Sequence, residues 1–173
     1  MRLPQKVHIL EVGPRDGFQA EKQWIPTEKK IEIINALSRT GLPEIQATSF
    51  VHPKAIPQLA DAEEVMAKID RVPGVQYRVL VPNMRGLQRA LPFKPDRVNF
   101  MMSVSESHNR ANANRSIDES LREFEQMAVV AREAGVDVKG GMGCTFGCPF
   151  EGDVPIAQLE RVTKRYLEMG ITH

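Results

Sequence analysis

Apolar runs of strand length and segments with helical periodicity alternate along this chain, with only short breaks between them, and that alternation limits the fold more than any other feature. Residues 6–12 read as a strand, followed by a loop from Gly13-Pro14 to Gly17. Thr27-Glu28 opens a helix in which Ile31, Ile34 and Leu37 recur at helical spacing and Gly41 is the stop. Residues 44–50 give a second strand and residues 57–69 a second helix. A third strand over 75–81 ends at Pro82-Asn83, and a short helix over 85–91 leads to a fourth strand at 97–102. Ser116-Ile117-Asp118-Glu119 is a capping-box sequence whose helix runs to about residue 134, with Gly135 behind it. A fifth strand covers 136–142 and a fifth helix 154–169, after which Gly170-Ile171-Thr172-His173 reads as the approach to another strand.

Such alternation requires a parallel sheet covered by helices, either an open doubly wound sheet or a (β/α)8 barrel. No Gly-x-Gly-x-x-Gly follows the first strand and no Gly-Lys-Ser/Thr loop is present, which counts against a nucleotide-binding open sheet. Polar residues suited to chemistry instead follow successive strands: Arg15 and Asp16, Thr48 and Ser49, Asn83, Ser103 and Glu106, Cys144. Active sites at the C-terminal face of a barrel are built this way. The expected fold is therefore an α/β TIM barrel, (β/α)8, of which residues 1–173 form a single domain holding about the first five βα units. A complete barrel takes roughly 250 residues.

The chain is 42% hydrophobic, enough for a real core, and its formal net charge is +1 with no run of five basic residues. No nucleic-acid surface is expected from that balance, and no membrane association, since no apolar run approaches spanning length. Two cysteines, Cys144 and Cys148, make no disulfide framework and suit a reducing, cytoplasmic setting. Their Cys-x-x-x-Cys spacing has no second pair, so packing in a strand-end loop is the better reading than a metal clip. His8, His52, His108 and His173 are isolated from one another, and His52 and His108 read as loop residues. Met101, Met102 and Met142 read as barrel core.

Chemistry concentrates in Glu11-Val-Gly-Pro-Arg-Asp-Gly-Phe-Gln19. A carboxylate at a strand's C-terminal end (Asp16) is placed to hold a divalent cation, and the guanidinium beside it (Arg15) to hold developing negative charge. Gln19 and Gln46 flank this pair, and Asn83 and Ser103 sit where substrate contacts would be made.

Longer motifs carry a resemblance. They are Val12-Gly-Pro-Arg-Asp-Gly-Phe-Gln19 with Glu21-Lys22, Ala47-Thr-Ser-Phe-Val51 with Pro53-Lys54 and Pro57-Gln58, and Ala60-Asp-Ala-Glu-Glu-Val-Met66. Val81-Pro-Asn83, Ser103-Val-Ser-Glu-Ser107 and Gly143-Cys-Thr-Phe-Gly-Cys-Pro-Phe-Glu-Gly152 follow in order. Together they resemble the hydroxymethylglutaryl-CoA lyase family, within the barrel metallolyases that include isopropylmalate and homocitrate synthases. The resemblance implies cleavage of 3-hydroxy-3-methylglutaryl-CoA to acetyl-CoA and acetoacetate, a step of leucine degradation and ketone-body formation, with Mg²⁺ or Mn²⁺ as cofactor. It implies an acyl-CoA as the partner molecule and a homodimer for the complete enzyme. By motif position Asp16 would be a metal ligand, Arg15 and Gln46 catalytic, and Gln19, Asn83 and Ser103 substrate-binding. The family carries a glutamate where this chain has Gln46, which leaves open a lyase or synthase for a different hydroxyacyl-CoA or 2-oxo acid. The family's His-x-His pair, its later asparagine and its catalytic-cysteine loop have no counterpart in these 173 residues. On that ground the isolated chain is expected to be inactive, and a non-catalytic half-barrel interaction module is the competing reading.

Overall fold

The computed structural model describes residues 4–172. Five strands form one sheet in the order β1-β2-β3-β4-β5: Leu10–Glu11, Glu44–Ser49, Gln76–Leu80, Arg97–Ser103 and Asp137–Gly143. Every neighbouring pair is parallel. Spatial order equals chain order, so there is no point at which the order reverses, and the doubly wound alternative falls. The connections carry helices α1 (Phe18–Ala20), α2 (Thr27–Ser38), α3 (Ala62–Lys68), α4 (Met84–Ala90), α5 (Glu106–Ala113), α6 (Ile117–Glu133) and α7 (Ile156–Glu168). A two-residue antiparallel pair, β6 (Gly147–Cys148) with β7 (Gly152–Asp153), sits between β5 and α7.

Several boundaries differ from the sequence reading. The first strand shrinks from 6–12 to two residues, because β2 begins only at Glu44 and leaves the segment before Leu10 without a partner. The 57–69 helix is interrupted: Pro57–Leu59 is a 3-10 turn, and the α-helix begins at Ala62. Helix α5 is an addition. Its sequence, ESHNRANA, has no apolar stripe, and its ends are set instead by caps. Ser105 Oγ accepts a hydrogen bond from His108 N at 3.2 Å, and Asn114 closes the helix in the left-handed region at φ 54°. The capping box expected at α6 is present in full, Ser116 Oγ accepting from Glu119 N and Glu119 Oε2 from Ser116 N. Ile171 and Thr172 are irregular, and both His173 and the first three residues lie outside the described residues.

Residues paired across parallel strands share a face, which sorts the side chains. Tyr77, Val79, Val98, Phe100, Met102 and Val138 turn outward and meet the helices in one core with Leu87, Phe124 and Met127. Phe100 and Phe124 pack with ring centroids 5.1 Å apart. The inner face is polar near the start of the strands. Glu44, 1% exposed, receives Arg78 at 2.6 Å, Arg97 at 2.7 Å and His8 at 2.8 Å. Arg97 also reaches Asp137, which Lys139 holds at 3.0 Å. A buried carboxylate is tolerable only with such partners.

Helix α7 closes on β5 through a glycine. A Cβ added at Gly140 would lie 2.5 Å from the Tyr166 ring and 2.8 Å from Ile171. Gly140→Ala is therefore expected to lower unfolding stability by about 1–3 kcal/mol in urea titrations of residues 1–173. An unchanged midpoint would contradict this packing.

Candidate active site

The loop after β1 builds the site. Residues Gly13–Gly17 form one π-helical turn in which the Val12 carbonyl accepts from Arg15 N at 3.0 Å and Asp16 N at 2.7 Å. Gly13 N donates to Glu11 Oε1 at 2.5 Å, and a Cβ at Gly13 would stand 2.8 Å from that oxygen, so a side chain there would displace the Glu11 carboxylate from this contact. Pro14 is buried at the start of the turn. The result turns Arg15 toward β2, where its Nε donates to Gln46 Oε1 at 2.8 Å, while an Nη donates to Asp16 Oδ1 at 2.5 Å. Gln46 is 2% exposed and the Arg15 side chain 18%, whereas that of Asp16 is 61% exposed. The guanidinium is thus fixed from below by a buried neutral amide, and the carboxylate projects into solvent.

Beside this pair lies a cleft of about 440 Å³ at the C-terminal ends of β2, β3 and β4. Arg15, Gln19 and Asn83 line it together. Asn83 also caps α4, its Oδ1 accepting from Gly86 N at 2.8 Å, which leaves the amide NH2 as its remaining polar group. A register shift between Gln46 and Thr48 brings Ser49 alongside Leu80 and into the same cleft. Ser103 is not brought to this group. It is 3% exposed, its hydroxyl shares a 2.6 Å hydrogen bond with His108 Nδ1, and its amide donates to Asn109 Oδ1.

Residues missed in the sequence also line the cleft, among them Met101, Asn112, Ala113 and Arg115. Met101 corrects the core assignment: it is 43% exposed and on the inner face, while Met102 next to it is buried in the core. Residues 112–115 arrive there because α5 exists. The available signal was Ser105 followed by Glu106, a cap residue with an acidic first turn. Arg115 is paired with Glu123. His108 likewise belongs to α5 and not to a loop, with its ring 5.9 Å from that of Phe150.

Cys148 is buried and accepts from Ser105 Oγ at 2.9 Å and Phe150 N at 3.3 Å. Burial pushes its thiol pKa up, but these donors outweigh it and the net shift is downward. Burial, with Cys148 close by, pushes the Cys144 thiol up. Both are free, and the pair packs the strand-end loop.

A divalent cation needs several oxygen ligands that converge. Among the described residues no three His, Cys, Asp or Glu side chains do so. Asp16 offers one exposed carboxylate, a single donor of the kind such an ion takes.

The HMGL-like family model matches residues 6–173. Hydroxymethylglutaryl-CoA lyase YngG of Bacillus subtilis is 51% identical over 172 residues, 99% of this chain and 58% of its own length. The crystal structure of the Bacillus subtilis HMG-CoA lyase superposes over the whole chain with a TM-score of 0.97 at 50% identity, covering 58% of that protein. An HMG-CoA lyase from Acinetobacter baumannii, solved with coenzyme A and 3-methylmalate, covers 95% of this chain and 53% of its own, with TM-score 0.91 and 40% identity. The chain thus spans a little over half the length of these relatives, and its curled parallel sheet with helices matches part of a TIM barrel.

Proposed function

The chain belongs to the HMGL-like family, and from that premise we propose that it forms the arginine-bearing part of a lyase that splits 3-hydroxy-3-methylglutaryl-CoA into acetyl-CoA and acetoacetate. One observation carries the reading: Arg15, oriented by Gln46 and adjacent to Asp16, stands at the edge of a cleft at the strands' C-terminal ends.

The tertiary hydroxyl gives its proton to a base and becomes the ketone of acetoacetate as its bond to the thioester's α-carbon breaks; the electron pair is left on that carbon, delocalised onto the thioester oxygen, and protonation of the carbon yields acetyl-CoA. Arg15 spends its Nε on Gln46 and one Nη on Asp16, so its other Nη hydrogens can donate to that oxygen as it gains charge. Because Gln46 is neutral, the guanidinium keeps its charge for the substrate apart from the share drawn by Asp16. Gln46 orients Arg15, and Gln19 and the Asn83 amide line the space left for the acyl group. Asp16 would be one ligand of a divalent ion, Mg²⁺ or Mn²⁺, which when bound supplies Lewis-acid polarisation of the substrate's tertiary hydroxyl. Ser103, occupied by His108, would contribute by holding the start of α5. The neutral Gln46 favours one second reading, a lyase for a different 3-hydroxyacyl-CoA.

We place the protein in the cytoplasm, as its two free cysteines suggest, and expect the complete enzyme to be a homodimer. No described helix is long and apolar enough to cross a membrane.

The natural test is a chimera in which residues 1–173 are followed by the remainder of the Bacillus subtilis lyase. Its acetoacetate release from 3-hydroxy-3-methylglutaryl-CoA is expected to disappear on chelation and return with Mn²⁺. Asp16→Asn is expected to raise the Mn²⁺ concentration required. Turnover indifferent to chelator would overturn the metal-assisted reading.

A further inference from the structure

Glu44 and Gln46 share the inner face of β2, two residues and about 7 Å apart along the strand. Gln46 takes Arg15. Glu44 takes cations from the neighbouring strands: its Oε1 accepts from Arg78 Nε at 2.6 Å and its Oε2 from an Nη of Arg97 at 2.7 Å, with His8 at 2.8 Å. By strand register, however, Arg78 is paired across the sheet with Gln46, and Arg97 with Arg78. Both guanidiniums therefore lean toward the start of the strands, out of the layer of Gln46 and away from Arg15. Arg97 has a second anion, Asp137 at 3.1 Å, which also takes Lys139. Among the described residues Arg78 has Glu44 alone as its ion-pair partner.

Without the Glu44 charge, Arg78, whose side chain is 14% exposed, would turn to the acceptor in its own layer, the Gln46 carboxamide oxygen that already holds Arg15. Two guanidiniums converging on one neutral oxygen repel each other. Arg15 is the one that would yield, because its other anchor is the carboxylate of Asp16, 61% exposed and free to follow it into solvent. We infer that Glu44 is a positioning residue for Arg15: it draws Arg78 out of the Gln46 layer and leaves the Gln46 oxygen to Arg15 alone. That the Arg15 so placed serves hydroxyacyl-CoA cleavage rests on the reading above.

Two double variants of residues 1–173 separate this role from one in folding, since each loses one carboxylate and one guanidinium. Glu44→Gln with Arg78→Gln removes the competing cation, whereas Glu44→Gln with Arg97→Gln leaves it opposite Gln46. The rate at which phenylglyoxal modifies Arg15 is followed by mass spectrometry, with the exposed Arg39 as internal standard and circular dichroism as the check on folding. Arg15 is expected to react at the parent rate in the first variant and about fivefold faster in the second, the effect of freeing one hydrogen bond. In the chimera with the remainder of the Bacillus subtilis lyase, kcat of the second is expected about tenfold below that of the first, with little difference in KM. Equal Arg15 rates in the two folded variants would overturn the inference, because a role in folding alone does not distinguish which arginine remains. A chimera inactive before any substitution would remove the hydroxyacyl-CoA reading, and the Arg15 rates would still decide what Glu44 does.

Discussion

Arg15→Gln in the chimera is expected to lower kcat by about 100- to 1000-fold, with a smaller change in KM. Glutamine keeps a donor at this position and loses the charge. The charge matters most when the thioester oxygen becomes an enolate, so the loss falls on the transition state more than on the bound ground state. Arg15→Lys is expected to recover only part of the rate. A lysine cannot donate to Gln46 Oε1, Asp16 Oδ1 and a substrate oxygen with the planar geometry that sets Arg15 in place. A variant with unchanged kcat and raised KM would assign Arg15 to binding alone.

Lys30→Ala is expected to destabilise the protein by about 3–5 kcal/mol. Lys30 is 2% exposed, and its Nζ lies 2.8 Å from Asp61 Oδ1 and 2.6 Å from the Gln58 carbonyl, with the Trp24 ring centroid 3.9 Å away. Thr27 Oγ1 adds a hydrogen bond to Asp61 at 2.8 Å. Removing the ammonium strands a buried carboxylate with a single hydroxyl donor, whereas Lys30→Met with Asp61→Asn removes both charges. The double variant should be markedly more stable than Lys30→Ala in denaturant titrations, and equal losses would show that the pair's charges are not what matters. The consequence reaches the site. Gln58 donates to the Glu21 carbonyl at 3.0 Å, so the Lys30 lock joins α2, the segment behind Arg15 and the 57–61 turn beside the cleft.

The parts of the fold that could be read in advance are those where a local signal and tertiary packing agree. Strands β2 to β5 carry apolar residues at alternate positions and each begins within two residues of a proline or glycine, and α6 carries its capping box in the sequence. Strand β1 was overextended because Val7 and Ile9 are apolar, yet both stay exposed with no strand opposite. Helix α5 was invisible to periodicity because its turns are held by Ser105, Glu106 and Asn109, not by an apolar face. Among the candidate site residues, Arg15 and Asp16 are neighbours in one motif, and Gln46 meets Arg15 because β2 lies beside β1. Met101 was misread for a physical reason: both faces of a barrel strand can be apolar, so hydrophobicity does not say which of two adjacent methionines meets the helices. Parity settles it, since Phe100 and Met102 are buried and Met101 is not. Asn83 does two things at once, capping α4 and lining the cleft, and nothing in a tripeptide motif separates those tasks.

Product formation decides whether these residues supply a working Arg15–Asp16 site for hydroxyacyl-CoA cleavage. Residues 1–173 alone, and the chimera, would each be given 3-hydroxy-3-methylglutaryl-CoA with Mn²⁺, and acetyl-CoA and acetoacetate measured together. Equimolar products are expected from the chimera and none from the isolated chain, where one carboxylate cannot retain the cation. A folded chimera that forms neither product would contradict the claim, and so would chelator-sensitive cleavage by the 173 residues alone.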